Sequence, residues 1–337
     1  MNTIHEYVKQ YGRFTFQESP FNEVDNAVFS SLAYLDFSDC IDGEEEITIR
    51  FLARRYFKKN NTQKIRKNPH SIRQMIETFF LCSTVRRYQD IIVHHFRHII
   101  NDTTQFQALC FTIAKGTMFV AFEGTDDSMV GWHEDFDMMH TFPIPSQKLA
   151  MEYLNQVITR KYHRVYVGGH SKGGNLAMTA CMYLPFWKQH KVKQIYNNDG
   201  PGFRKEEYES KEFKRIEKKL HVIIPESSVI GLLFYHKKDF QVVKSLGRGI
   251  YQHDLSNWLC YGAYFTPGTL TDEAKSQARR FSICFQKYSY AKKKEFVNIL
   301  FSLFKECNMT VFSEVTNPKI SKLIRLIHAS RKLDKES

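Results

Sequence analysis

A serine with glycines two residues to either side, Gly169-His170-Ser171-Lys172-Gly173, follows the apolar run Val165-Tyr166-Val167 and precedes a small-residue helical stretch, Asn175 to Leu184. That order presents a hydroxyl at a sharp strand-to-helix turn. The helix N-terminus faces the hydroxyl, and a Cβ at either glycine would collide with a neighbouring element. The chemistry implied is nucleophilic attack by Ser171 on an acyl carbonyl. The plainer alternative is a Gly-rich turn in which Ser171 only caps the helix.

Such a serine needs a base, an acid that orients the base, and donors for the developing oxyanion. In hydrolases built on an elbow of this kind the chain order is serine, acid, histidine. The sequence has 14 histidines, and that order removes most of them. His170 precedes the serine and reads as a packing residue. His190 lies in a polar helix end, His221 inside an alternating strand, and His236 beside Lys237-Lys238. His253, in a loop after the last strand pattern, is the expected general base. Two carboxylates compete to orient it. Asp199 lies in the turn Asn198-Asp199-Gly200-Pro201-Gly202, at the end of the strand after the elbow helix. Glu226 follows the next strand, just after Pro225. Active sites of open α/β sheets gather at the carboxyl ends of strands, and both acids qualify. Asp199 ranks first, although Asp-Gly also favours a turn for conformational reasons alone. The oxyanion donors are expected to be the Lys172 backbone N–H and, from the loop Gly124-Thr125, the N–H and hydroxyl of Thr125.

The elements that must position these residues are legible from periodicity. Residues 1–100 read as mostly helical, with patterns over Phe21 to Tyr34 and Ser71 to Phe80. Phe106 to Ile113 and Thr117 to Phe122 read as a β-hairpin turning at Gly116. Helical spacing returns at Gln147 to Leu154, then strands at Arg164 to Val167 and Gln194 to Asn197, an exposed helix at Glu206 to Lys219, and strands at Leu220 to Ile224 and Phe240 to Lys244. After Thr271 the chain is helical and basic. The pattern predicts an α/β fold with a mostly parallel sheet and helices on both faces. Its parts are an N-terminal helical region (1–100), a core (101–261) and a basic C-terminal helical extension (262–337).

The chain has 337 residues, 42% of them hydrophobic, and carries a net charge of +12. No apolar run approaches the ~20 residues of a membrane span, and no secretory leader is evident, so a cytoplasmic location is expected. Seven scattered cysteines without a C-x-x-C pair read as reduced thiols. No cofactor and no metal are expected. The positive charge is dispersed and accompanies no RNA- or DNA-binding signature. It favours weak attraction to anionic surfaces, including peripheral contact with an anionic membrane, over specific nucleic-acid binding. The amphipathic stretch Ile320 to Ile327 is one candidate for such contact.

Several motifs in one order, Phe21-Asn-Glu-Val-Asp25, Phe122-Glu-Gly-Thr-Asp-Asp127, Gly131-Trp-His-Glu-Asp-Phe136, Gly169 to Ala177, Asn198 to Phe203, Pro225 to Gly231 and Gln252-His-Asp254, resemble the Mbeg1-like proteins. These are bacterial relatives of class 3 lipases within the α/β-hydrolase superfamily. The resemblance implies an α/β-hydrolase fold and a serine hydrolase acting on carboxylic esters, acyl lipids among them. Ser171 falls on the nucleophile, Thr125 on the oxyanion position, and His253 with Trp258 on a histidine-before-tryptophan motif. Two departures stand out: Glu123 replaces the arginine that precedes Gly-Thr in those lipases, and the segment Glu226 to Ser228 carries no aspartate where theirs does. Ser128 to Pro145, rich in Met, Trp and Phe, falls where class 3 lipases carry a lid; a core-packing helix pinned by Trp132 is the other reading. A hydrolase-fold binding or regulatory protein with weak or lost chemistry is the alternative function.

Overall fold

In the strands Gln105–Ala114 and Thr117–Phe122, Phe106, Ala108, Cys110, Met118, Val120 and Phe122 point to one face of the sheet. Leu109, Phe111, Phe119 and Ala121 point to the other, and all are buried. Strands apolar on both faces must be covered on both. The computed structural model, which describes residues 2–42 and 44–316, supplies that cover.

Eight strands form the main sheet in chain order: Ile47–Thr48 (β1), Ile92–Ile100 (β2), Gln105–Ala114 (β3), Thr117–Phe122 (β4), Arg164–His170 (β5), Val192–Asn198 (β6), Leu220–Pro225 (β7) and Gln241–Val243 (β8). β1 to β4 pair antiparallel, and β4 to β8 run parallel. The N-terminal helices Glu23–Leu32 (α1) and His70–Thr84 (α2) cover one face, where Phe29 stacks on Phe111 at 4.5 Å. Helix α1 starts on an Asn22–Asp25 capping box, and the Asp25 carboxylate is buried against Arg87 and Tyr88. Right-handed crossovers between parallel strands laid in sequence place their helices on the same face. The three longer helices between β4 and β6 are Met129–Asp137 (α3), Pro145–Val157 (α4) and Lys172–Met182 (α5). Of these, α4 and α5 pack Ala150, Leu154, Leu176 and Cys181 against Val120, Val165 and Val167. The result is an α/β-hydrolase-like sheet with helices on both faces.

The first hundred residues are not helical throughout. β1 and β2 belong to the main sheet, and β2 ends at Ile100. In β2 the polar residues His94, His95, Arg97 and His98 interrupt the apolar alternation, and a bulge between His94 and Arg97 sets His95 at φ 53°. The expected helix Glu206 to Lys219 breaks into Lys205–Tyr208, Lys211–Ile216 and a 3-10 turn, because the Ser210 hydroxyl caps a new start at the Phe213 N–H. The short helix Phe186–Gln189 (α6) follows α5, and the extension contains Asp272–Lys287 (α7) and Tyr290–Glu306 (α8). The stretch Ile320 to Ile327 lies outside the described residues. Six of the seven cysteines are buried, and Cys284 is exposed. Among the described residues no helix is long and apolar enough to cross a membrane.

Candidate active site

Ser171 follows the last residue of β5 and opens α5 with φ 56° and ψ −130°. A non-glycine residue holds such a conformation at a cost of about 1–3 kcal/mol, so the surrounding structure must enforce it. The enforcement is visible: the Ser171 N–H donates to the Asn198 carbonyl at 3.0 Å, and the Gly174 N–H to the Ser171 carbonyl at 3.0 Å. A Cβ on Gly169 would press into the Gly173 carbonyl, and one on Gly173 into the Phe122 carbonyl. The elbow is therefore wedged between β4 and β6, with its hydroxyl at the carboxyl edge of the sheet.

Asp199 stands at the same edge, one residue beyond β6, in the left-handed region at φ 52°. Its N–H is tied to the Ile223 carbonyl of β7 at 2.8 Å. One carboxylate oxygen accepts from His253 Nδ1 at 2.7 Å. The other accepts from the Ser228 hydroxyl and from the Gly231 N–H at 3.1 Å. Asp199 is 1% exposed and the His253 side chain 22%, so the carboxylate is enclosed while the ring keeps an open flank. Because the carboxylate only accepts, Nδ1 carries the proton and the free lone pair of His253 is on Nε2. Glu226 goes elsewhere: its carboxylate accepts from the Thr269 N–H at 3.2 Å. Of the two competing acids, the fold brings Asp199 to the imidazole. Ser228, in the segment where class 3 lipases carry their aspartate, contributes a hydroxyl to that carboxylate instead.

The loop bearing His253 is held from three sides. Trp258 is buried and donates to the Gln252 carbonyl at 2.9 Å, the Gln252 side chain accepts from the Ser227 N–H at 2.8 Å, and Ser256 bonds Gln74 of α2. His170 supplies a further tie that sequence reasoning missed. Its Nε2 lies 2.7 Å from the His253 carbonyl and its Nδ1 2.7 Å from the Tyr34 hydroxyl, with the two imidazole centroids 4.3 Å apart. A carbonyl only accepts, so His170 is the Nε2–H tautomer, and Nδ1 accepts from Tyr34. Burial, and then the neighbouring His253, hold His170 well below the usual histidine range, so the neutral ring this relay requires is the favoured one. Direct adjacency of a histidine to the elbow serine is the only signal for it in the sequence.

On the other side of the elbow, the Thr125 hydroxyl donates to Asp135 of α3. The second oxygen of Asp135 is buried without a partner. Burial pushes this carboxyl up to about 6, against the opposing pull of Lys172. The Thr125 hydroxyl, one of the two expected oxyanion donors of this residue, is thus engaged with α3. The Lys172 N–H belongs to the first turn of α5, whose donors have no partner within the helix. The Lys172 ammonium is buried, bonding the Gln105 side chain and lying 3.3 Å from Glu134. Glu134 also accepts from the Gln105 N–H at 3.0 Å and the Ser146 N–H at 2.8 Å. Glu123 is buried beside Gln105 at 2.9 Å, and burial pushes its carboxyl well up.

These bonds bear on the lid-like segment 128–145. Helix α3 is anchored from below by Glu134 to β3, α4 and α5. It is covered from above by the extension: Trp132 stacks on Phe312 at 3.8 Å, and His133 on Phe301 at 4.3 Å. Trp132 therefore pins α3 to the C-terminal extension, and Glu134 is what fixes it to the core.

The Mbeg1-like family matches residues 82–302. No curated protein matches the sequence. Among solved structures the crystal structure of M37 lipase is similar, with 12% sequence identity and a TM-score of 0.39 over 77% of this chain and 91% of that one. The family match takes in Ser171, Asp199 and His253 and about two thirds of the sequence: this chain belongs to the Mbeg1-like family.

Proposed function

We propose that the protein is a serine hydrolase that cleaves carboxylic esters, with acyl lipids as a candidate class, through an acyl-enzyme and without a cofactor. The observation that carries this reading is the 2.7 Å bond from His253 to a buried Asp199 beside a serine held at φ 56°. In this scheme Ser171 Oγ attacks the ester carbonyl while His253 Nε2 takes its proton. Asp199 stabilises the imidazolium, and the N–H groups of Lys172 and Thr125 hold the oxyanion. His253 then returns the proton to the leaving alkoxide. Water, activated by the same ring, releases the acid and restores Ser171.

A fluorophosphonate probe tests the scheme directly. The wild type is expected to label at Ser171, and Ser171→Ala and His253→Ala to lose labelling. A folded wild-type protein that stays unlabelled where known serine esterases react overturns it. One feature favours the second reading, a binding or regulatory protein on the same fold. The buried carboxyl of Asp135 bonds the Thr125 hydroxyl, and the negative charge it carries above about pH 6 would oppose an oxyanion there. That reading predicts a folded, probe-silent protein.

A further inference from the structure

Between Glu152 and Asp199 the sequence has no carboxylate and seven lysines and arginines. Lys172 is buried at the elbow. The other six gather at the opposite edge of the sheet, where β5 and β6 begin: Arg160 and Lys161 in the loop before β5, Arg164 at its first residue, and Lys188, Lys191 and Lys193 around the start of β6. The two loops are knitted together by their own lysines. Lys191 donates to the Thr159 carbonyl at 2.8 Å, and Lys188 to the Asn155 carbonyl. Lys161 pairs with Glu46; among the described residues the other five form no ion pair with a carboxylate. Three large aromatic side chains stand out from the same place: Tyr183 is 46% exposed, Phe186 69% and Trp187 51%. The ammonium groups of Lys188 and Lys191 lie 5.0 and 5.1 Å from the Trp187 ring centre.

We propose that this edge, with Phe186 and Trp187 at its tip and the six cations around them, docks on an anionic lipid bilayer. The Phe186 ring can form no hydrogen bond, and leaving it and the Trp187 ring in water forgoes the gain of burying them. A tryptophan and a phenylalanine backed by lysines match the headgroup–acyl boundary, where the rings enter and the ammonium groups meet phosphate. Four of the six cations are lysines, compact charges rather than the guanidinium forks that dominate nucleic-acid recognition. The seven residues of β5 separate this edge from Ser171, roughly 20 Å at the usual rise of a strand. On the hydrolase reading above, docking here turns the site away from the bilayer and toward substrates arriving from solution.

The test is sedimentation of the full chain with vesicles of seven parts phosphatidylcholine to three parts phosphatidylglycerol, against pure phosphatidylcholine. The wild type is expected to bind the anionic vesicles preferentially. Phe186→Ser/Trp187→Ser and Arg160→Glu/Lys193→Glu are each expected to bind at least ~10-fold more weakly, with unfolding temperatures unchanged. Arg54→Glu/Lys58→Glu makes the same change in net charge at exposed positions outside the patch and is expected to bind like the wild type. Equal binding by wild type and patch variants, an equal loss in the control pair, or tighter binding to a short DNA duplex than to the vesicles at the same salt would each overturn the proposal. Binding is read without turnover and Ser171→Ala should sediment normally, so this surface and the hydrolase reading can fail separately.

Discussion

Replacing Asp199 by Asn changes one oxygen to an amide nitrogen and almost nothing in volume, yet the hydrogen-bond pattern around it leaves the new side chain one arrangement. One carboxylate oxygen already accepts from two donors, the Ser228 hydroxyl and the Gly231 N–H. In the Asp199→Asn variant the amide oxygen must take that place, because an NH2 group there would face two donors. The NH2 is then turned toward His253 Nδ1, which must become an acceptor. The imidazole responds by carrying its proton on Nε2, and a protonated Nε2 cannot receive a proton from Ser171. A tautomer fixed the wrong way in a serine–histidine–aspartate site costs about 10,000-fold in turnover, or roughly 5.5 kcal/mol of barrier. The assay is the initial rate of p-nitrophenyl butyrate hydrolysis, with the rate of fluorophosphonate labelling and thermal unfolding measured alongside. Glu226→Gln serves as the comparison and should hydrolyse within about twofold of the wild type, since its carboxylate serves the Thr269 N–H and not the imidazole. If Asp199→Asn stays folded and keeps activity within about tenfold of the wild type, or if Glu226→Gln shows the larger loss, the assignment of the orienting acid is wrong.

Three further outcomes follow from the contacts. His170→Phe leaves the His253 carbonyl without its donor and should lower both activity and stability, the latter by about 1–3 kcal/mol in urea unfolding; Tyr34→Phe, which keeps that donor, should be milder, and the reverse order would refute the relay. Glu134→Ala strands the buried Lys172 ammonium together with the Gln105 and Ser146 N–H groups, and should cost about 3–5 kcal/mol by denaturant midpoint; a loss under about 1 kcal/mol would show that α3 is not anchored there. The raised carboxyl of Asp135 sets a pH dependence: with a folded value of about 6, above the ordinary 3.8, its neutral form stabilises the fold at low pH, and that contribution is lost as pH rises through about 6. Asp135→Asn should therefore gain up to about 3 kcal/mol on the wild type between about pH 4 and pH 8, and a constant difference across that range would refute the assignment.

The elbow is legible in the sequence because everything that makes it is local. A β-branched run, two glycines around a serine and a small-residue helix specify strand, turn and helix within a short stretch, and the structure adds the φ of 56° that they enforce. The parallel strands and the hairpin at Gly116 are legible for the same reason. β2 is not, since four polar residues and a bulge break its period, and its place in the sheet rests on pairing with β3. The competition between Asp199 and Glu226 lies beyond the sequence as well. Both follow a strand at the same edge, and the choice depends on where the loop carrying His253 comes to rest. That loop is fixed by Trp258, by Gln252 on Ser227, and by His170, residues drawn from separate parts of the chain. Local sequence thus determined which atom is presented. Only the packing of distant segments, which sets distances that no spacing along the chain encodes, decided which carboxylate meets the imidazole and that helix α3 is tied down by Glu134.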